Sequence, residues 1–320
     1  MIACLAGGIG LSFVALLFWR WCLSTWQGSS AHLHELAQIE TALAAAEAQV
    51  PHLRPGCEKR IIWAGAEATK TPVSVLFIHG FSATGEELRP LPDLVAEAFG
   101  ANLHFTRLTG HGQDGDALAR ASLADWRRDV AEAIMIAQAL GDEVIIMGCS
   151  TGCTLATLAL AEGAQAKAMI HVSPNFGLRH RVVQTLLDLP GARHWSRYVA
   201  GASRSFTPIS AAHAAYWTVA YPTDAIHVMA DAVRAARQMD VSLIGTPALF
   251  CFNDADQVVH PADIRKVMAG WGGPAESIAI TQTPDDDAMG HVMAGDVFSP
   301  GQTVPLARQI IAWVQKLPPR

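Results

Sequence analysis

Charge is scarce in this chain. Only 16% of the 320 residues are Asp, Glu, Lys or Arg, and 51% are apolar, which excludes a polypeptide that stays disordered. A basic excess is missing too. Lys and Arg number 23 against 29 Asp and Glu, so the chain lacks the positive face that a nucleic-acid binder needs. Six cysteines are too sparse for a disulfide scaffold, and Cys57, Cys149, Cys153 and Cys251 show no framework spacing. No internal repeat or low-complexity tract interrupts the chain. What is left is the composition and length of one large α/β domain, alone or with a short appendage.

The most local absence lies at the N-terminus. Residues 1–19 hold no charged side chain, and Arg20 is the first charge. As a helix, Ile2–Trp19 reaches about 27 Å, enough for a hydrocarbon core. Trp19, Trp21 and Trp26 fall where an aromatic belt would sit. Residues 1–26 are therefore predicted as a transmembrane anchor, with a helix and linker over 27–57. A cleaved signal peptide is the alternative, with Ser29 and Ala31 before a cut at His32, although no Lys or Arg precedes the apolar run. Arg20 on the C-terminal flank predicts a single-pass protein of a bacterial inner membrane with its main domain in the cytoplasm; the periplasmic side is the alternative. Within the linker, Leu33, Leu36, Ile39, Leu43, Ala46 and Val50 recur at helical spacing, and Pro51 and Pro55 stop the pattern. This helix is expected to pack on the domain or on the membrane surface.

From residue 58 onward strands and helices alternate. Val73–His79, Asn102–Leu108, Glu143–Met147, Ala168–Val172, Ala248–Phe252 and Ser277–Thr281 read as strands. Glu86–Gly100, Leu123–Leu140, Thr151–Glu162 and Leu306–Leu317 read as helices. Such alternation predicts an α/β fold with a mostly parallel central sheet and helices on both faces. About 176–222 break the rhythm and are too long for a connection, so an inserted helical cap is expected there. The cap carries five arginines against one aspartate. That balance means either a solvated face or a surface for anionic headgroups or acyl chains.

One short segment carries the strongest chemical signal. Gly148-Cys149-Ser150-Thr151-Gly152 follows an apolar strand and opens a helix. That is the setting in which a sharp turn projects a serine hydroxyl above a sheet edge. A serine nucleophile needs a base, and the base needs an orienting carboxylate. Asp256, at the turn after a strand, is the expected acid, with Asp254 as the alternative. His291, in Met289-Gly290-His291-Val292 after the last strand, is the expected base. His260 is read as starting the next helix. Two backbone N–H groups are needed for the oxyanion, and the Thr151 and Phe81 amides are the candidates. His79 and His111 are read as loop-bracing residues, Cys149 and Cys153 as packing, and Asp285-Asp286-Asp287 as an exposed loop rather than a metal site.

These stretches, together with His79-Gly80-Phe81 and Leu108-Thr109-Gly110-His111-Gly112, resemble the α/β-hydrolase superfamily over about residues 60–318. Within it they are most similar to monoacylglycerol lipases and bacterial carboxylesterase-like serine hydrolases. The resemblance implies an α/β-hydrolase domain over 58–320, Ser150 as nucleophile, Asp256 as acid, His291 as base, Phe81 and Thr151 as oxyanion donors, and no metal or organic cofactor. Departures are the small residues Cys149 and Thr151 in the variable elbow positions and the N-terminal apolar addition. Serine at the elbow disfavours dehalogenase and epoxide hydrolase chemistry. The expected function is hydrolysis of carboxylic esters, with a lipid or medium-chain acyl ester as the small-molecule substrate and no nucleic-acid partner. A thioesterase or acyltransferase would use the same triad, and a silent membrane-tethered binding module is the alternative of another class.

Overall fold

A computed structural model describes residues 36–66 and 68–318. The anchor predicted over residues 1–26 lies outside the described residues. Among the described residues no helix is long and apolar enough to cross a membrane.

Seven strands form one sheet. They are β1 (Arg60–Ile62), β2 (Thr71–Ile78), β3 (Asn102–Phe105), β4 (Gly141–Cys149), β5 (Ala168–Val172), β8 (Ala248–Phe252) and β9 (Ala275–Ala279), in the order β1-β3-β2-β4-β5-β8-β9. Only β1 runs antiparallel, against β3. The inner strands are buried on both faces, which explains their continuous apolar runs. Two cores result. One holds Trp126, Ile146 and Phe250, the other Phe77, Phe105 and Ile310. The α/β architecture read from the sequence is the one observed.

Helices α1 (Leu36–Ala48), α2 (Leu91–Ala98), α3 (Gly115–Arg120), α4 (Leu123–Leu140) and α5 (Thr151–Ala161) precede the region between β5 and β8. That region contains α6 (Arg181–Asp188), α7 (Ala192–Ala200), α8 (Ala211–Tyr216), α9 (Ile226–Gln238) and a small hairpin of β6 (Ser203–Ser205) with β7 (Ala220–Pro222). Helices α10 (Pro261–Gly270) and α11 (Pro300–Val314) follow.

Several boundaries differ from the sequence reading. Helix α2 begins five residues later than Glu86: Pro90 is its non-helical N-cap, and Pro92 sits in its first turn, where a missing N–H costs nothing. Glu86 and Glu87 stay in the preceding loop. Helix α11 starts at Pro300 and carries Pro305 inside it, where the sequence reading begins only at Leu306. The structure adds α9, whose Val228, Met229, Ala232, Val233 and Ala236 are buried. Helix α1 packs on the domain through Ile39 and Leu43 against Ile61, Ile136 and Leu140.

Candidate active site

Ser150 sits where β4 ends and α5 begins. Its backbone has a positive φ, with φ 49° and ψ −114°, an uncommon state for a residue bearing a Cβ. The flanking glycines make that turn possible. A Cβ on Gly152 would lie 2.0 Å from the Ile78 carbonyl oxygen, and one on Gly148 would lie 2.8 Å from the Cys153 nitrogen. Strand and helix therefore pass at backbone contact, and only the serine projects.

The structure brings Ser150, His291 and Asp256 together. His291 Nε2 lies 3.0 Å from Ser150 Oγ, and His291 Nδ1 lies 2.8 Å from Asp256 Oδ2. Asp256 is fully buried on the loop after β8. Its Oδ1 accepts the Val258 and Val259 N–H groups at 2.7 and 2.9 Å, which fixes the carboxylate that faces the imidazole. Asp254, the alternative acid, is exposed and paired with Arg265. His260 caps α10 by accepting the Ala262 N–H.

Burial alone would make His291 harder to protonate. The Asp256 carboxylate, joined by Glu87 and Asp287, outweighs burial and holds the imidazole above its ordinary value of 6.5. The Cys149 thiol is pushed far up by burial and then by Glu87, so it stays protonated beside the serine. A hydroxyl next to an imidazole, itself held by a buried carboxylate, can pass its proton and attack an electrophilic carbon.

The loop after β2 brings Phe81 to the same place. His79 is fully buried, and burial lowers it to about 4, so it is neutral. Its Nδ1 donates to the Gly80 carbonyl at 2.9 Å, and its Nε2 accepts the Leu108 N–H at 3.1 Å. The Gly80–Phe81 peptide is thereby held by a ring. The His111 ring packs against that of His79, tilted by 59° at a centroid distance of 4.8 Å. Thr151 is buried, and its hydroxyl has no protein partner. Phe81 and Thr151 both line the cavity at Ser150.

That cavity has a volume of about 340 Å³. Its apolar wall includes Phe81 against Tyr221, edge to face at 5.3 Å, and Trp217 against Phe298 at 5.2 Å. Phe206, His213 and Trp217 come from the segment between β5 and β8. Among the described residues no arginine lines it. Two arginines of the cap expected over 176–222 meet acids beyond it, Arg181 with Asp263 and Arg193 with Asp231. The positive excess of that cap is thus partly neutralised in three dimensions. A larger depression of about 520 Å³, lined by Asp188, Arg234 and Arg237, contains none of the residues around Ser150.

Three residues of the site escaped the sequence reading. Asp287 was expected in an exposed loop, yet it is buried beside Asp286, and only Asp285 is exposed. The reason is backbone satisfaction. The tight loop around Gly290 (φ 64°) leaves N–H groups inside the protein, and Asp287 Oδ2 accepts those of His291 and Val292 at 3.0 and 2.9 Å. Ser173 donates to the His291 carbonyl at 2.5 Å. Glu87, also buried, accepts the Gly80 N–H at 2.6 Å. The four-residue spacing from Asp287 to His291 is the one local signal that could have been read.

A parallel sheet with a serine on the turn after its central strand and a histidine and aspartate on later loops defines an α/β hydrolase. The chain belongs to the serine aminopeptidase (S33) family, whose model matches residues 69–283. It resembles the thermostable monoacylglycerol lipase of a Bacillus species, being 28% identical over 231 residues, which is 69% of this chain and 86% of that protein. Solved structures share the fold. A structure from work on the metagenome-derived lipolytic enzymes LipS and LipT superposes with a TM-score of 0.66 at 18% identity, covering 83% of this chain and 100% of the other. A soluble variant of monoglyceride lipase from Saccharomyces cerevisiae, in complex with a substrate analogue, gives 0.60 at 14% identity, covering 85% and 97%.

Proposed function

We propose that this protein hydrolyses carboxylic esters of lipid or medium-chain acyl groups through an acyl-enzyme on Ser150. The observation that carries this reading is the continuous contact Ser150–His291–Asp256, at 3.0 and 2.8 Å, on the floor of an aromatic-walled cavity. His291 takes the hydroxyl proton as Ser150 attacks the acyl carbonyl. Asp256 keeps the imidazole in the tautomer with Nδ1–H and stabilises the imidazolium. The Phe81 and Thr151 amides receive the oxyanion. His291 then gives its proton to the leaving alcohol. In the second half a water, deprotonated by His291, releases the acid.

The substrate class rests on the wall. Phe81, Phe206, Trp217, Tyr221 and Phe298 offer an acyl chain rings and little charge. The likeness to the Bacillus monoacylglycerol lipase supports a single-chain lipid ester. We further propose that residues 1–26 tether the enzyme to a bacterial inner membrane, because the run of apolar residues ending at Arg20 is long enough to cross it. Full-length chain should then sediment with membranes, and a chain lacking residues 1–26 should be released with its esterase activity intact.

The direct test is a fluorophosphonate probe read by intact-mass spectrometry on wild type and Ser150→Ala. One adduct on the wild type, mapped to Ser150 and absent from the variant, is expected. An unlabelled, folded wild-type chain would remove the reading.

A further inference from the structure

Glu87 has no part in the mechanism above, although it touches the backbone of the loop that carries Phe81. It is 3% exposed, and it lines the cavity at Ser150. Its Oε2 accepts the Gly80 N–H at 2.6 Å. A Cβ built on Gly80 would lie 2.8 Å from Glu87 Oε1 and 3.2 Å from the Ser150 Cβ. The carboxyl, the Gly80 backbone and the serine side chain therefore form one contact cluster. Gly80 is gripped from both ends. His79 holds its carbonyl, and Glu87 holds its N–H. Ser82, two residues on, has a positive φ of 65°, so the loop presenting Phe81 is a turn that does not hold its shape by local preference.

We propose that Glu87 is a positioning residue for ester cleavage: its carboxyl fixes the loop that aims the Phe81 amide, and its neutral form is the active one. The inference rests on the reading of Ser150 as the nucleophile. Its physical basis is charge. Acyl transfer builds negative charge on the substrate oxygen beside the Phe81 and Thr151 amides. An ionised carboxylate packed against the same backbone opposes that charge across a short, poorly screened gap. A neutral carboxyl still accepts the Gly80 N–H and keeps the loop in place without the opposing charge.

The groups facing Glu87 are few. Cys149, on the elbow, and Cys153, on α5, are buried thiols held protonated. His291 faces it from the loop after β9, with Asp256 and Asp287 behind the imidazole. Among the described residues, no guanidinium or ammonium is among the groups that shift its carboxyl. Burial pushes the carboxyl up to about 7, against the pull of the Gly80 N–H, of His291 and of the Cys149 thiol. Both forms are therefore reachable in ordinary buffers.

The test uses full-length wild type, Glu87→Gln and Glu87→Ala on a soluble p-nitrophenyl butyrate substrate, with kcat and KM measured from about pH 5 to about pH 10. Glutamine keeps an acceptor for the Gly80 N–H and cannot ionise. It should match wild type on the acid side and exceed it increasingly above neutrality. Alanine loses the grip on Gly80, and kcat should fall about tenfold or more at every pH with KM little changed, as expected for a misplaced donor. A Gln profile that overlays the wild type would overturn the proposal, as would a folded Ala variant with wild-type kcat. Should the Ala variant fail to fold, the Gln profile alone decides. Failure of the underlying reading looks different: Ser150→Ala would then hydrolyse the ester as fast as wild type.

Discussion

Asp256 shows how much one carboxylate oxygen can decide. Its Oδ1 is committed to the Val258 and Val259 amides, so only Oδ2 faces His291. In Asp256→Asn the amide would keep its oxygen on those backbone groups and turn its NH2 toward Nδ1. The imidazole would then carry its proton on Nε2 and could not accept from Ser150. We expect kcat to fall by about 10⁴ with KM nearly unchanged, the effect of the wrong tautomer. The pH dependence follows from the same pair. His291 must be neutral to act as base, and Asp256 raises its proton affinity. Activity should thus fall on acidification at a pH above the ordinary imidazole value of 6.5. In the Asn variant the residual activity should show this limb at lower pH. A kcat/KM profile of both proteins tests the direction. At this scale the sequence was most legible where the signal was local. Ser150 stands between glycines that backbone contact requires, and Asp256 and His291 each follow a strand at a turn. Ser173 was invisible because its partner, His291, lies far along the chain, and Glu87 because the sequence places it at the start of a helix whereas the chain there is still a loop. Asp287 was hidden differently: a run of three aspartates looks like surface, and only the loop's inward N–H groups make it interior.

Among the elements, α1 adds a buried ion pair to the apolar contacts of Ile39 and Leu43. Glu47 Oε2 and Oε1 receive Arg107 Nε and Nη2 at 2.7 and 2.8 Å, and Oε2 also accepts the Lys59 N–H at 3.0 Å. Both side chains are almost fully buried, at 5% and 6% exposure. Such a pair costs desolvation to form, but removing one partner strands the other charge. Glu47→Ala should therefore lower stability by about 3–5 kcal/mol, read from urea unfolding at neutral pH. Burial raises the Glu47 carboxyl, and the Arg107 and Lys59 contacts more than reverse that, leaving it lowered in the folded state. Its stabilisation is thus complete above the unfolded value near 4.5 and is lost as pH falls through the lower folded value. Glu47→Gln should lose less stability on acidification than wild type. The elements themselves were read well where burial imposes a pattern, as in β4, β5 and β8. They were read poorly where prolines compete with packing. Pro90 stands as the non-helical cap before α2, while Pro305 is carried inside α11 because tertiary contacts through Leu306 and Ile310 outweigh its local cost.

At the scale of the whole molecule, the pocket is assembled from three layers. The sheet carries Ser150, the region between β5 and β8 supplies Phe206, His213 and Trp217, and the segment after α1 fastens that region to the domain. The fastening is concentrated in Arg54. Its guanidinium donates to the Trp217 carbonyl at 2.8 Å, to the Ala214 carbonyl at 3.3 Å and to Thr218 Oγ1 at 3.3 Å, while Nε reaches the Gly112 carbonyl at 3.3 Å. Gly56 lies beneath the Tyr216 ring, where a Cβ would approach it to 3.1 Å. The linker that the sequence presents as a spacer is therefore a clasp on the wall of the pocket. A loosened wall should matter to a substrate in proportion to the wall it touches. Arg54→Ala is expected to lower kcat/KM for an octanoate ester by about tenfold while an acetate ester, held mainly at Ser150, changes by less than about twofold. Parallel kinetics on p-nitrophenyl acetate and octanoate read the ratio directly. An equal loss on both esters would mean that Arg54 acts through the stability of the fold and not through the wall.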